Sequence, residues 1–225
     1  MTSPVLVVTG TGTGIGKTVA STGLVRAWAT RGLAVAGLKP IESGVSADSG
    51  PGDVGALDAV STFHVTHSPA PYLLEAPVSP HLAARTEGRR IELNEVVRWL
   101  APIRRDAQAV VLELPGGLYS PLTDDGLTNA DLLVAINPTK VLLVAPDRLG
   151  VLHDVLSATR ASRSQGIGID AIVLSAPATP DASTGTNAAE LARILPDVPV
   201  VASLPRAPRK VIDSHLLPAL ARLGL

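Results

Sequence analysis

The sequence predicts an α/β fold, a mostly parallel sheet flanked by helices on both faces. Three observations lead there. Short runs of branched apolar residues recur along the chain and alternate with stretches whose apolar positions return at helical spacing, the pattern of successive βαβ units. Those runs lack the polar alternation of a half-exposed strand, so the sheet is covered on both faces. The first run leads directly into a Gly/Thr loop that ends in Gly-Lys-Thr and opens a helix. That order is the signature of a phosphate-binding P-loop, and the expected organisation is a single P-loop domain over residues 1–225.

Residues 5–8, Val-Leu-Val-Val, form the first strand, and 9–16 the loop. Helical spacing runs from 17 to 30, with Gly32 as its stop. A second strand covers 33–38 and is ended by Pro40. Residues 42–53 are Gly- and Ser-rich without periodicity, which suits a functional loop. A helix follows from Val54. Another spans 92–100, with Leu93, Val96, Val97 and Leu100 as its apolar stripe. The third strand is 109–114, the fourth 141–145, the fifth 171–174 and the sixth 198–202. Helices occupy 151–164 and 186–195, and a last one over 211–223 is kinked or broken at Pro218. There is no internal repeat and no low-complexity linker.

Composition narrows the function. Hydrophobic residues make up 46% of the 225 and the mean hydropathy is +0.31, enough for a core, so disorder is excluded. Aromatics at 2% leave no stacking platform for bases. Nineteen basic against twenty acidic residues give a net charge of −1, which argues against nucleic acid and against a polybasic membrane anchor. The absence of cysteine removes disulfides, thiolate metal sites, iron–sulfur clusters and cysteine nucleophiles. The N-terminus has no signal-peptide pattern, and no apolar run approaches the roughly 18 residues of a membrane span. A cytoplasmic protein is the expectation.

In parallel sheets ligands bind beyond the carboxyl ends of the strands, which directs attention to loops 9–18, 39–44, 113–117 and 175–179. In the first, glycines let backbone N–H groups turn around phosphate oxygens, and the helix start favours negative charge. Gly12, Thr13, Gly14, Ile15, Gly16, Lys17, Thr18 and Val19 are the nucleotide-binding candidates. Lys17 would reach the β- and γ-phosphates and Thr18 a Mg²⁺ ion. The strict spacing asks for glycine at Thr11, which Gly10 and Gly12 flank instead. A dinucleotide fingerprint is the rival motif, and the glycine spacing does not fit it. In the second loop Lys39 would sit over the same sheet edge as Lys17, and two lysines converging on one phosphate would serve its transfer. Glu113, at the end of the third strand, is the expected carboxylate ligand of Mg²⁺. Gly116 and Gly117 would bring N–H groups to the phosphates or the substrate. Asp53 is a further carboxylate candidate, with Asp48 and Asp58 close enough to compete.

Thr9-Gly-Thr-Gly-Thr-Gly-Ile-Gly-Lys-Thr18, Gly37-Leu-Lys-Pro-Ile-Glu-Ser-Gly44, Ala76-Pro-Val-Ser-Pro-His81, the stretch 113–121 and Leu149-Gly150 together resemble the dethiobiotin synthetases. The resemblance covers nearly the whole chain in the same motif order. It implies an ATP-dependent ligase that joins CO₂ to 7,8-diaminopelargonate, a diamino acid, and closes a cyclic urea, releasing ADP and phosphate. It implies Mg²⁺ and a nucleoside triphosphate, with no biotin and no pyridoxal phosphate, and a homodimer whose substrate site takes residues from both subunits. Carried over to this chain, Lys17 and Lys39 form the catalytic pair, and Thr18, Asp53 and Glu113 hold the metal. Thr13, Lys39 and Ser43 would contact the diamine or its carbamate, residues 79–81 from Ser79 onward would line the substrate channel, and Gly117 would approach the same substrate.

Three positions depart from the family. Where it has Glu-Gly-Ala-Gly-Gly, this chain has Glu113-Leu-Pro-Gly-Gly117, and Pro115 removes a backbone donor. His153 stands where an Asn commonly reaches the partner's substrate carboxylate. Ser175 replaces the Asn expected to read adenine, leaving base readout to loops 175–179 and 204–207, with Ser175 and Pro205 facing the base. Two alternatives follow: a related carboxylase acting on a different amine, favoured by Pro115 and His153, and a P-loop ATPase switch protein. Switch proteins often carry an additional lysine where this chain has Gly12, which favours the enzyme.

Overall fold

In a computed structural model, which describes residues 3–45, 50 and 52–225, six parallel strands form one sheet. They are β1 (Val5–Gly10), β2 (Val35–Leu38), β5 (Ala109–Glu113), β6 (Lys140–Pro146), β7 (Ala171–Ser175) and β8 (Val200–Leu204), in the order β2-β5-β1-β6-β7-β8. Two short strands, β3 (Ile41–Ser43) and β4 (Tyr72–Leu74), pair in parallel as a separate sheet. The helices are α1 (Lys17–Ala29), α2 (Gly52–Asp58), α3 (Pro80–Thr86), α4 (Leu93–Asp106), α5 (Asn129–Ile136), α6 (Val151–Ser164), α7 (Asn187–Ile194) and α8 (Arg209–Arg222).

The strand alternation divides the core into two layers. On β1, Val5 and Val7 face one side with Val110, Leu112 and Leu143, under α4 to α7. Leu6 and Val8 face the other with Val111, Leu142 and Val144, under α1 and α8. Both sets are fully buried, which explains the unbroken apolar runs. Gly23 lets α8 lie close on α1, because a Cβ there would stand 2.3 Å from Leu216 Cδ1. No helix among the described residues is long and apolar enough to cross a membrane.

The long elements lie where periodicity puts them, within two residues at most ends. The differences are short elements and proline positions. Residues 42–53 are not all loop: Glu42 and Ser43 belong to β3, and α2 begins at Gly52. The helix expected over 92–100 runs to Asp106 through Pro102, because Ile103 is buried in the core beyond it. Pro218 likewise lies inside a continuous α8, where Leu216, Ala219 and Leu220 pack on both sides of it. Two helices were not expected. In α3, seven residues are too few to show a period, although Pro80 at its first turn is a start signal. In α5, the capping box of Thr128 and Asp131 marks the start, but the following residues are apolar almost throughout and carry no stripe.

Candidate active site

The loop between β1 and α1 is built on two left-handed glycines, Gly14 at φ 70° and Gly16 at φ 91°. Gly16 is the N-cap of α1 and offers no side chain to its first-turn N–H groups, so those donors and the positive end of the helix face outward. The loop folds back on its strand: a Cβ at Gly10 would lie 2.6 Å from Ile15 Cδ1. Thr11 N–H donates to Val144 O at 3.0 Å, and the Lys17 ammonium donates to Gly12 O at 2.8 Å.

A cavity of about 700 Å³ opens over this loop at the carboxyl edge of the sheet. It is lined by Thr13, Gly14, Ile15, Gly16, Lys17, Thr18 and Val19 from the first loop and helix. From elsewhere come Lys39, Ser43, Asp53, Ser79, Glu113 and Gly116. These candidates, from distant parts of the chain, meet in one place. Of the rival aspartates, Asp58 accepts from His64 Nδ1 at 2.9 Å at the far end of α2, and Asp48 lies outside the described residues.

The charged centre is closely connected. The Lys39 ammonium pairs with the Asp53 carboxylate and with Glu113 Oε1 at 3.2 Å. Thr18 Oγ1 donates to Glu113 Oε1 at 3.0 Å. Burial pushes Lys17 down to about 8; Glu113 and Asp53 oppose the shift and the neighbouring Lys39 adds to it. For Lys39 burial acts in the same sense, but Glu113 and Asp53 outweigh it and hold the ammonium above its ordinary value. Asp53 is depressed: burial opposes, and the Lys39 contact prevails. Burial raises Glu113 against the pull of Lys39.

Glu42 was not among the sequence candidates. Its buried carboxylate accepts from Asp53 N–H at 2.6 Å and Val54 N–H at 2.9 Å, capping the α2 N-terminus and holding Asp53 over the cavity. Gly52, at φ 57°, makes room, since a Cβ there would stand 2.6 Å from Glu42 Oε1. Ser43 donates to Val78 O at 2.7 Å. Ser79 is the N-cap of α3 with no side-chain cap bond, and its hydroxyl borders the cavity. Of residues 79–81, Ser79 and Pro80 line this cavity. His81 instead lines a separate cavity of about 250 Å³, because successive residues at a helix start fan around its axis by about 100° each.

Two further cavities adjoin the first loop. One, of about 680 Å³, shares Gly14, Gly16 and Val19 with it and is walled by Ser175, Pro205, Arg148 and Arg206. Ser175 packs on Gly16, where a Cβ would lie 2.5 Å from Ser175 Oγ. The loop after β7 is held from behind by buried Asp147, which accepts from Gly185 N–H at 2.9 Å and Asn187 Nδ2 at 2.7 Å. The other cavity, of about 530 Å³, is lined by Gly12, Gly117, Tyr119 and His153. Gly117 and His153 therefore lie together, apart from the Lys39 cluster.

Residues 5–211 match the AAA domain family. The chain is 38% identical over 224 residues to the ATP-dependent dethiobiotin synthetase BioD of Ralstonia nicotianae, covering 96% of each protein. Among solved structures it is similar to a chain of the MinC:MinD cell division protein complex of Aquifex aeolicus, with a TM-score of 0.58 at 12% identity over 99% of this chain and 96% of that one. It is also similar to the signal recognition particle receptor FtsY of Elizabethkingia anophelis, with a TM-score of 0.55 at 16% identity, covering 96% of this chain and 64% of that one. These two likenesses concern the fold alone. The extent and identity of the first match, on a chain that carries Gly-Lys-Thr at the start of α1 and Lys39 after β2, place it: the chain belongs to the AAA domain family and, within it, to the ATP-dependent dethiobiotin synthetases.

Proposed function

We propose that the protein, one domain over residues 1–225, carboxylates 7,8-diaminopelargonate with CO₂ and closes the cyclic urea of dethiobiotin, converting ATP to ADP and phosphate. The observation that carries this reading is the meeting of Lys17, Lys39, Asp53, Glu113 and Thr18 in one cavity over a glycine loop. A neutral amine adds to CO₂ without activation of the carbon and gives an anionic carbamate. That anion must approach an anionic γ-phosphate, and Lys17 and Lys39 offset the repulsion. The first-turn N–H groups of α1 hold the phosphate chain, and Ser43 and Ser79 face the amine end. The carbamate oxygen attacks the γ-phosphorus and displaces ADP, giving a carbamic–phosphoric mixed anhydride. The second amine then attacks its carbonyl carbon, loses a proton and expels phosphate as the ring closes.

The residues present fit a Mg²⁺ ion. Thr18, Asp53 and Glu113 are all hard oxygen donors, and Glu113 Oε2 is buried with no partner among the described residues. When bound, the ion would supply positive charge to the triphosphate. The working protein is proposed to be a cytoplasmic homodimer, with His153 facing the partner's substrate carboxylate across the subunit boundary and Gly117 approaching the substrate. Pro115 and His153 favour one alternative, a carboxylase of the same chemistry acting on another amine.

The test is ADP release from ATP, Mg²⁺ and bicarbonate with and without the diamine. Release should depend on both the diamine and CO₂. Equal release without any amine would replace this reading with an ATPase switch, and release driven better by another amine would move the substrate assignment.

A further inference from the structure

Asn129 opens α5 and is fully buried. Its amide nitrogen donates to two main-chain carbonyls, Pro115 O at 2.6 Å and Gly117 O at 2.8 Å. Only the nitrogen of an amide can face two carbonyls, so these partners fix its orientation. Its Oδ1 is buried without a partner among the described residues. An orphaned buried acceptor is unfavourable, so space filling does not account for an amide at this position, whereas its two donors do.

In a trans peptide the C=O and N–H point in opposite directions, and no peptide among the described residues is cis. The Gly117–Leu118 peptide displays the consequence. Its carbonyl turns to Asn129, and on the other side Leu118 N–H donates to Gly10 O at 2.8 Å. In the Pro115–Gly116 peptide, the carbonyl held by Asn129 turns the Gly116 N–H away from Asn129, and Gly116 lines the cavity together with Lys17 and Lys39. The neighbouring donors are spent or missing: Gly117 N–H donates to Ser120 Oγ at 2.8 Å, and Pro115 has no N–H. The loop is also pressed on the first one, since a Cβ at Gly117 would lie 3.1 Å from Thr11 C.

We infer that Asn129 is a positioning residue that aims the Gly116 N–H at the phosphate transferred in the reaction. This rests on the reading of the Lys17–Lys39 cavity as the phosphate site.

The test is calorimetric titration of the full chain with Mg²⁺ and either a non-hydrolysable ATP analogue or ADP. In Asn129→Ala the analogue should bind about tenfold more weakly, the size of one hydrogen bond to a charged group, while ADP changes less than about twofold. Asn129→Ser, which keeps one donor, should fall between, and it carries the same comparison if the alanine variant does not fold. Both variants will melt earlier, so the readout is the difference between the two nucleotides. Equal weakening of both, or of neither, overturns the inference. Lys17→Gln in the same titration separates it from its premise. If that variant binds both nucleotides like the wild type, the phosphate reading itself fails. If it weakens them while the Asn129 variants keep wild-type affinities, only the inference fails.

Discussion

Lys17 and Lys39 reach the same cavity by different routes and in different electrostatic states. Lys17 stands on the first turn of α1, its ammonium held by Gly12 O and its proton affinity lowered by burial to about 8. Lys39 stands at the end of β2 between two carboxylates that raise it. Replacing either by glutamine keeps the length and removes the charge. Each variant should lose at least about 10²–10³ in turnover, the usual effect of deleting one transition-state donor, while circular dichroism stays native. Wild-type turnover in Lys39→Gln would remove it from the reaction. Gly16→Ala should destabilise by more than about 1–2 kcal/mol, because the left-handed φ and the contact with Ser175 Oγ act together, and a denaturant midpoint measures it. These residues were legible because Gly-Lys-Thr is contiguous and Lys39 and Glu113 sit at strand ends. Glu42 and Asn129 were not. Each acts through main-chain atoms of another segment, and an acidic or amide side chain by itself does not announce such a partner.

Secondary-structure elements differ in how far pattern alone could locate them. The six strands of the main sheet stand out as unbroken apolar runs, and the long helices repeat their period often enough to be read. The short elements between β2 and α4, namely β3, β4, α2 and α3, span three to seven residues each, less than two helical turns, and hold their form through tertiary contacts. α2 is the case that bears on chemistry, since its N-terminus is capped by Glu42 from β3. Glu42→Ala should cost about 2 kcal/mol, the scale of charge-assisted cap bonds, and should weaken Mg²⁺-nucleotide binding by freeing Asp53. Urea unfolding and titration would measure the two effects, and an unchanged midpoint would show that the cap contributes nothing. We propose that the loops after β7 and β8 set base selectivity. Ser175 offers a single hydroxyl and Pro205 no backbone donor, so discrimination should amount to about one net hydrogen bond, roughly 0.5–1.5 kcal/mol. Competition among ATP, CTP and GTP tests this, and a preference for ATP beyond about a hundredfold would refute it.

Among the described residues, nine large apolar side chains are exposed, and the most exposed is Leu149 at 76%. It precedes α6, which carries His153. If that face joins two copies, sedimentation should show a dimer, and Leu149→Asp should shift it toward monomer at micromolar concentration without unfolding it. A wild-type monomer would overturn the dimer reading. A two-residue connection joins the two sheets: β2 ends at Leu38 and β3 begins at Ile41, with Lys39 and Pro40 between them. The backbone of Lys39 is tethered on both sides, by a strand in each sheet and by the fixed φ of proline, and its side chain is pinned by Asp53 and Glu113. A free lysine would surrender about 1.5–2 kcal/mol of rotamer entropy on meeting a ligand. Here much of that loss falls on the folding reaction, so heating should erode the placement of this ammonium only as the fold itself loosens.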